Sequence, residues 1–442
     1  MKEKEIQARM AEKLGIDGFN PMQRRMLEAS AEKRDIILLS PTGSGKTVAF
    51  IAPVLKMLRE STGRVQCVVV APSRELSLQI AAVFRALAAG YKVTELYGGH
   101  KVEDEVNSLA STPDIIVATP GRLLDHIRRR TVDVLPVRIL VLDEFDKTLE
   151  LGFEEDLRKI INRLKNVSRY ILTSATRADI LPEFLKLDNP VEVNFLDDNT
   201  KLKKRLTVTG IRTEGNDKLE GLLSLLLHIS SESLERTIVF ANHRESAERI
   251  FEFLKKRGVD CILYHGALDQ RQRETALSLF NNGSRPVLIA TDLAARGLDI
   301  EGVKNVVHYH QALTPEVFSH RNGRTARVEK EGDVYILLGP DEEIKPYAAL
   351  DGEKPLTESK HREMKSGLTT LVISGGKKEK ISRGDIVGFL TKDCGVAAGE
   401  IGKINVFDHY SLVAVPSRLA KDLMVEANAK KLKGARRKFS FA

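Results

Sequence analysis

Short apolar runs alternate with amphipathic stretches over the first 340 or so residues. "DIILLS" (35–40), "CVVVAPS" (67–73), "DIIVATP" (114–120), "RILVLD" (138–143) and "YILTSA" (170–175) occupy the first half; "TIVFAN" (237–242), "CILYHG" (261–266), "PVLIATD" (286–292) and "NVVHYH" (305–310) occupy the second. Runs this short, rich in β-branched residues and apolar on both faces, predict parallel strands covered by helices on either side. Each half is therefore expected to form one α/β domain. Between them "LDDNTKLKKRL" (196–206) is polar and lacks apolar periodicity, which predicts a connection near residue 200. A second polar stretch, "YAALDGEKPLTESKHREMKSG" (347–367), precedes about 75 residues with a different order: strand, helix, strand, strand, helix, strand. The expected layout is an α/β domain over 1–200, another over 201–345, a linker at 346–366 and a small α+β module over 367–442.

Charge changes this picture only at the end of the chain. The whole sequence carries +8, with 69 Lys plus Arg against 61 Asp plus Glu. Residues 367–442 hold 14 of the former and 7 of the latter, so +7 lies there and +1 in the preceding 366 residues. A compact basic module on a nearly neutral body marks a polyanion partner, with nucleic acid the leading candidate. No apolar run approaches the roughly 18 residues needed to cross a bilayer, and the charged opening "MKEKEIQARMAEKLG" lacks the core of a signal peptide, so a cytoplasmic protein is expected. Cys67, Cys261 and Cys394 are not at metal-ligand spacing, and neither disulfides nor zinc are expected.

Two motifs carry chemistry. "SPTGSGKT", Ser40 to Thr47, lies between an apolar strand and the helical "VAFIAPVL". Glycines let backbone N–H groups turn inward around phosphate oxygens, Lys46 offers a point charge to the β and γ phosphates, and Thr47 can ligand magnesium. The second motif is "ILVLDEFDKTLELGF" (139–153), in which four apolar residues run into Asp143, Glu144 and Asp146. Acids at the tip of a buried strand need a cation nearby. In open α/β sheets the binding crevice lies at the carboxyl ends of the strands, which puts these acids beside the phosphate loop. Asp143 would then meet the magnesium and Glu144 would polarise the attacking water.

"VLDEFDKTLELGF" resembles the Asp-Glu-Ala-Asp segment of the DEAD-box RNA helicases, and the other motifs of that family follow in order: "APSRELSLQ", "YGGH", "ATPGRLLD", "TSAT", "IVFAN", "YHGALDQRQRE", "IATDLAARGLD" and "HRNGRTAR". The resemblance covers residues 19–339 and implies two RecA-like domains that bind ATP with Mg2+ and grip RNA. It assigns Gln23 to adenine and Asp299 to the ribose, places Thr42, Gly43, Ser44, Gly45, Lys46 and Thr47 around the phosphates, and gives the metal to Thr47 and Asp143. Catalysis would fall to Lys46, Asp143, Glu144, Arg324 and Arg327, the two arginines stabilising charge on the transferring phosphoryl group. Arg74, Gly99, Thr119 and Arg122 in the first half, with Arg273 and Thr291 in the second, would line the RNA backbone. Asp146, Ser174 and Thr176 would couple the nucleotide and RNA sides. Departures from the family pattern are Phe145 for alanine, Ser73 for threonine, Asn322 for isoleucine and Ala326 for glycine.

The last module resembles the RRM-like RNA-binding domain of the bacterial DEAD-box protein A subfamily, most closely in "GGKKEKISRGDIVGFL" and "IGKINV". An RRM stacks bases on sheet aromatics, but only Tyr410 lies near the corresponding strands. Lys377, Lys378, Lys380 and Arg383 in one loop, with Lys430, Lys431, Lys433, Arg436, Arg437 and Lys438 near the end, point instead to a folded RNA held by phosphate contacts. The subfamily resemblance implies a 23S-type ribosomal RNA hairpin as target and maturation of the large ribosomal subunit as role; a monomer is expected. Two alternatives stay open: an ATP-gated RNA clamp that hardly unwinds, and a DNA-directed helicase of the same superfamily.

Overall fold

The computed structural model describes the chain except for residues 42, 177–180, 197–205, 231–233, 293–299, 301–302, 326–330 and 356–363. The chain divides into two compact units, one up to residue 204 and one from residue 205 onward.

The first unit begins with helices α1 (Glu3–Leu14) and α2 (Pro21–Ala31) and continues through β1 (Ile36–Leu39), α3 (Lys46–Met57), β2 (Cys67–Val70), α4 (Arg74–Leu87), β3 (Val93–Leu96), α5 (Val102–Leu109), β4 (Ile115–Ala118), α6 (Pro120–Arg129), β5 (Ile139–Leu142), α7 (Phe145–Glu150), α8 (Glu154–Arg163), β6 (Arg169–Ser174) and β7 (Val191–Asn194). The strands form one parallel sheet in the order β3-β4-β2-β5-β6-β1-β7. Alternate side chains of the central strands enter different cores. Cys67, Val69, Val141 and Ile171 join the layer containing α3 and α4, while Val68, Val70, Leu140, Leu142 and Leu172 join the layer beneath α6 and α8. Burial on both faces explains why these strands read as unbroken apolar runs.

The second unit repeats this design with strands β8 (Leu206–Arg212), β9 (Thr237–Ala241), β10 (Cys261–Tyr264), β11 (Val287–Thr291), β12 (Asn305–His308), β13 (Gly332–Leu338) and β14 (Gly352–Pro355), in the order β10-β11-β9-β12-β13-β8-β14. The stretch 346–366, expected as a linker, is not one throughout. Gly352–Pro355 pair in parallel with β8 as the outermost strand, and Met364, 1% exposed, bridges to Val259. An exposed strand reading Gly-Glu-Lys-Pro has no apolar alternation, and proline is tolerated there because an edge strand leaves one ladder unpaired.

Residues 367–442 fold as expected for an RRM-like module. Strands β15 (Leu368–Ile373), β16 (Ile404–Val406), β17 (Ser411–Pro416) and β20 (Phe439–Phe441) form an antiparallel sheet in the order β16-β17-β15-β20; a small hairpin, β18 (Lys431–Leu432) and β19 (Ala435–Arg436), precedes the last strand. The helices Arg383–Gly388 and Ser417–Ala429 share a core with Leu371, Ile373, Val413 and Val415. The alternate residues point the other way, and that face is not open. Leu412 and Tyr410 pack on Leu279 of the helix Gln270–Asn281, with Val372 and Phe407 beside them. Thr370 Oγ1 meets the Asn282 amide at 2.9 Å and Ser284 Oγ at 2.7 Å. The Tyr410 hydroxyl donates to Glu274 Oε2 at 3.0 Å, under the Arg271 guanidinium 4.9 Å from the ring centre. The tail is thus docked on the preceding α/β body.

Candidate functional site

Sheet order brings the first unit's motifs together. β5, β6 and β1 are neighbours, so Asp143 and Ser40, which follow β5 and β1, and Ser174, which ends β6, emerge side by side at the carboxyl ends. The Ser40 N–H donates to Ser174 O at 3.0 Å. Gly45 is the residue before α3 and adopts φ 90°, a conformation that a side chain would strain. From there α3 presents the first N–H groups of a helix toward the loop, a ready anion site. Lys46, 8% exposed, bends back to donate to Ser40 O at 2.9 Å, and Ser44 Oγ donates to Pro41 O at 2.9 Å. Gly43 lies in the exposed turn and Thr47, half-buried, in the first turn of α3. Thr42 lies outside the described residues.

Gln23 and Asn20 form a reciprocal cap at the start of α2: each accepts from the other's backbone N–H, at 2.9 and 2.8 Å. Gln23 Nε2 also reaches Gly45 O at 3.3 Å, and Asn20 Nδ2 reaches Ser44 O at 3.1 Å. These contacts use one Nε2 hydrogen and one Oε1 lone pair of Gln23. The remaining donor and acceptor match the N7 acceptor and N6 donor of adenine.

The acids are buried: Asp143 is 3% and Glu144 7% exposed. The Thr173 hydroxyl donates to Asp143 Oδ1 at 2.5 Å and accepts from the Glu144 N–H at 3.1 Å. Glu144 turns sharply into α7 with φ 46° and ψ 52°, a left-handed conformation unusual for this residue type. Its Oε2 is buried with no hydrogen-bond partner among the described residues. Burial first, then the neighbouring Glu144 charge, push the Asp143 carboxyl up to about 6, against the pull of Thr173 and Lys46. An orphaned carboxylate oxygen beside a second carboxyl that burial makes reluctant to ionise fits a place for a divalent cation and a water.

The raised value has a consequence for stability. Because the folded pKa exceeds the unfolded one of about 3.9, the folded state holds an extra proton between about pH 4 and pH 6. Stability therefore falls as pH rises through that window, and the deficit is complete at pH 7. Asp143→Asn is expected to raise the melting temperature at pH 7.5, to gain little below pH 4, and to abolish ATP hydrolysis. Thermal unfolding across pH checks the first part and phosphate release the second.

Asp146 joins this site to the next loop. Its Oδ2 accepts from Thr176 Oγ1 at 2.9 Å and from the Ala175 N–H at 3.2 Å, while Ser174 Oγ accepts from the Thr176 N–H at 3.1 Å. All three residues expected to couple the two sides are in one network. Phe145, 2% exposed, packs among Leu142, Leu157 and Leu172 and fills core volume.

The first unit's RNA-side candidates also converge. Arg74 lies over the Tyr97 ring at 4.4 Å and donates to Gly98 O at 3.4 Å. Arg122 Nη2 donates to His100 O at 3.1 Å, which holds Gly99 in the same loop. Thr119 precedes α6 and its N–H donates to Leu96 O at 3.0 Å. Ser73 caps α4 by accepting from the Leu76 N–H at 3.2 Å, the task a threonine would perform equally well.

In the second unit Arg273 donates to Gly266 O at 2.6 Å, and Thr291 ends β11 at 8% exposure. Arg324, 6% exposed, follows the helix Pro315–Asn322. Asp299, Arg327 and Ala326 lie outside the described residues. Asn322 has a local explanation. Burial, then the charge of Arg321, lower His308 to about 3, so its ring is neutral; Nδ1 faces Arg321 Nη1 at 3.2 Å and Nε2 faces Asn322 Oδ1 at 2.9 Å. An isoleucine there would leave the buried Nε2–H unpaired.

In the tail, Lys377, Lys378 and Lys380 are exposed in one loop with Arg383 exposed at the start of the helix that follows, and Lys431, Lys433, Arg436 and Lys438 are exposed near the end. The two segments adjoin. Lys433 Nζ pairs with Asp385 at 2.9 Å and contacts Lys380 O, and the Lys438 N–H donates to Ser374 Oγ at 2.7 Å. Gly376 lets the loop approach Phe407 O, where a Cβ would come within 2.0 Å. Sequence reasoning found these basic residues but missed the docking role of Tyr410.

A family model described as DEAD/DEAH box helicase matches residues 20–183, one described as helicase conserved C-terminal domain matches 217–329, and one described as DbpA RNA binding domain matches 370–440. Over 446 residues the chain is 34% identical to the ATP-dependent RNA helicase DbpA of Escherichia coli (strain K12), covering 95% of this chain and 94% of that protein. The chain belongs to the DEAD-box ATP-dependent RNA helicases. It is also 32% identical over 358 residues to the DEAD-box ATP-dependent RNA helicase RhpA of Helicobacter pylori, covering 78% of this chain and 70% of that one. A solved structure of S. cerevisiae Dbp5 bound to RNA and ADP BeF3 superposes with a TM-score of 0.69 at 24% identity, over 80% of this chain and 93% of that one, and shows the same fold. This DEAD-box helicase is accordingly an RNA-dependent ATPase whose tail is an RNA-binding domain of the DbpA type. Among the described residues, no helix is long and apolar enough to cross a membrane.

Proposed function

We propose that this helicase hydrolyses ATP at the Asp143–Glu144 site of the first unit, only when Arg324 and Arg327 of the second unit join it, and that RNA favours that joining. The observation that carries the reading is the meeting, at the ends of three adjacent strands, of Asp143, Ser174 and a Glu144 Oε2 with no partner among the described residues, with Lys46 of α3 bent back onto Ser40 O. Gln23 selects adenine and Asp299 holds the ribose. Thr47 and Asp143 would hold Mg2+, which when bound neutralises phosphate charge. Glu144 accepts the proton of the attacking water, and the arginines stabilise charge on the transferring phosphoryl group. Arg74, Gly99, Thr119, Arg122, Arg273 and Thr291 bind RNA phosphates and sugars and so carry no sequence preference. Asp146, Ser174 and Thr176 link the two activities.

Selection then falls to the tail. Its basic rim, assembled from residues 377–383 and 430–438, supports recognition of a folded RNA by shape and phosphate contacts, and its sheet is engaged elsewhere. The subfamily resemblance points to a hairpin of 23S-type ribosomal RNA in the pre-ribosomal large subunit, and the protein acts on it as a monomer in the cytoplasm. Reversing charge at Lys377, Lys378 and Lys380 tests this. The variant is expected to keep its maximal RNA-stimulated ATPase within about two-fold, to need at least ten-fold more ribosomal RNA for half-stimulation, and to lose most of its salt dependence on that RNA. An unchanged requirement for ribosomal RNA would place selection in the α/β units. Stimulation by RNA but not by DNA of the same sequence separates an RNA enzyme from a DNA-directed one.

A further inference from the structure

We propose that Glu105 is the positioning residue of the RNA-backbone cradle in the first unit, a single buried carboxylate on which both of its RNA-side arginines depend. The inference rests on the assignment of Arg74 and Arg122 to RNA made above.

Glu105 stands in the first turn of α5, 3% exposed, outside the nucleotide site. A carboxylate buried this deeply requires partners, and three of its four are Arg122 itself and residues that touch Arg74 or Arg122. Its Oε1 accepts from the Tyr97 N–H at 2.8 Å and lies 3.2 Å from His100 Nε2. Its Oε2 lies 2.7 Å from His126 Nε2 and 3.4 Å from Arg122 Nε. His126 is itself fully buried, and its other nitrogen meets Thr131 Oγ1 at 2.7 Å. Burial would raise the Glu105 carboxyl, but the hydrogen bonds from His100, His126 and the Tyr97 N–H, with the charge of Arg122, outweigh it and hold the group at about 2. Glu105 is therefore charged at every working pH.

Three of the four partners lead to the cradle, and His126 fixes the carboxylate from behind. Tyr97, fixed through its N–H, carries the Arg74 guanidinium over its ring. His100 packs edge-on against Tyr97 at 4.6 Å and offers its carbonyl to Arg122 Nη2. Arg122 is thereby held at Nε by the carboxylate and at Nη2 by the loop, and three of its five N–H groups take no part in either contact. A guanidinium fixed in advance loses less rotamer freedom when a phosphate arrives.

Positioning and simple electrostatics predict opposite signs. A negative charge under a phosphate-binding surface repels RNA, so if charge alone mattered, Glu105→Gln would tighten RNA binding. A positioning role predicts the reverse, because a neutral amide cannot hold the two histidines and Arg122 together. ATPase of the full chain is titrated with poly(U) RNA for wild type, Glu105→Gln, His100→Ala and Arg122→Ala, with thermal unfolding and RNA-free ATP affinity measured beside it. Glu105→Gln is expected to raise the half-stimulating RNA concentration at least five-fold, to leave kcat at saturating RNA within two-fold and to leave ATP affinity unchanged. An equal or lower RNA requirement overturns the proposal. If Glu105→Gln does not fold, His100→Ala breaks one of the ties at a side chain 27% exposed; a shift in the same direction supports the proposal and no shift overturns it. Arg122→Ala separates the two levels. If it leaves the RNA requirement unchanged, the assignment of this surface to RNA fails; if it raises the requirement while Glu105→Gln does not, that assignment stands and positioning by Glu105 is refuted.

Discussion

Glu144→Gln is expected to bind ATP and RNA as the wild type does and to hydrolyse ATP on the order of 10² to 10⁴ more slowly, the usual range for loss of a general base. Glutamine keeps the shape of the side chain, and the backbone contacts that hold the turn, from the Glu144 N–H to Thr173 and from the Thr148 N–H to Glu144 O at 3.0 Å, do not involve the carboxylate. What changes is the buried oxygen that has no partner among the described residues and is free to take a proton from water. Single-turnover phosphate release under saturating ATP and RNA checks the rate, and equilibrium titrations check binding. Turnover within a few-fold of wild type would mean that another group activates the water.

Arg324→Ala is expected to slow hydrolysis by roughly 10³ or more, the scale on which an arginine finger acts in phosphoryl transfer, while RNA-free ATP affinity stays within a few-fold. Its loop is anchored for that task. Arg321, 2% exposed, is gripped by Asp292 at 2.5 and 2.7 Å, by Asn242 Oδ1 at 2.7 Å and by His310 O at 2.7 Å, and the Arg324 N–H donates to Arg321 O at 3.2 Å. A conservative Arg324→Lys is expected to recover only part of the loss, since an ammonium lacks the planar fork that spans two phosphate oxygens. The same kinetic pair, single-turnover rate and ATP titration, distinguishes lost catalysis from lost binding. A variant that hydrolyses normally would remove Arg324 from the reaction.

How much of this was legible in the sequence depended on burial. β1, β2, β4, β5 and β6 are covered on both faces and announced themselves as apolar runs. β3 and β7 are half-exposed and read only as Val-Thr-Glu-Leu and Val-Glu-Val-Asn, too short for alternation to stand out. β14, wholly exposed, carries no apolar signal and is indistinguishable in sequence from a linker. The nucleotide residues were legible because phosphate chemistry fixes both residue type and spacing within one loop. Glu105 was not, because its partners Tyr97, His100, Arg122 and His126 are assembled by folding across 30 residues, and an acid on a helix looks like any solvated charge. Tyr410 shows the same limit. Its partners Glu274 and Arg271 lie far away in the chain and only the fold joins them. The tail, expected as a tethered module, is held through this contact and through Thr370.

On the mechanism proposed above, RNA-stimulated hydrolysis needs groups from both units. The most direct test is steady-state phosphate release, at saturating ATP and with RNA titrated, by the full chain and by residues 1–204 alone. The account predicts saturable stimulation of the full chain and no RNA-stimulated turnover by the fragment, even where the fragment binds ATP. Robust RNA-stimulated turnover by the fragment would contradict it.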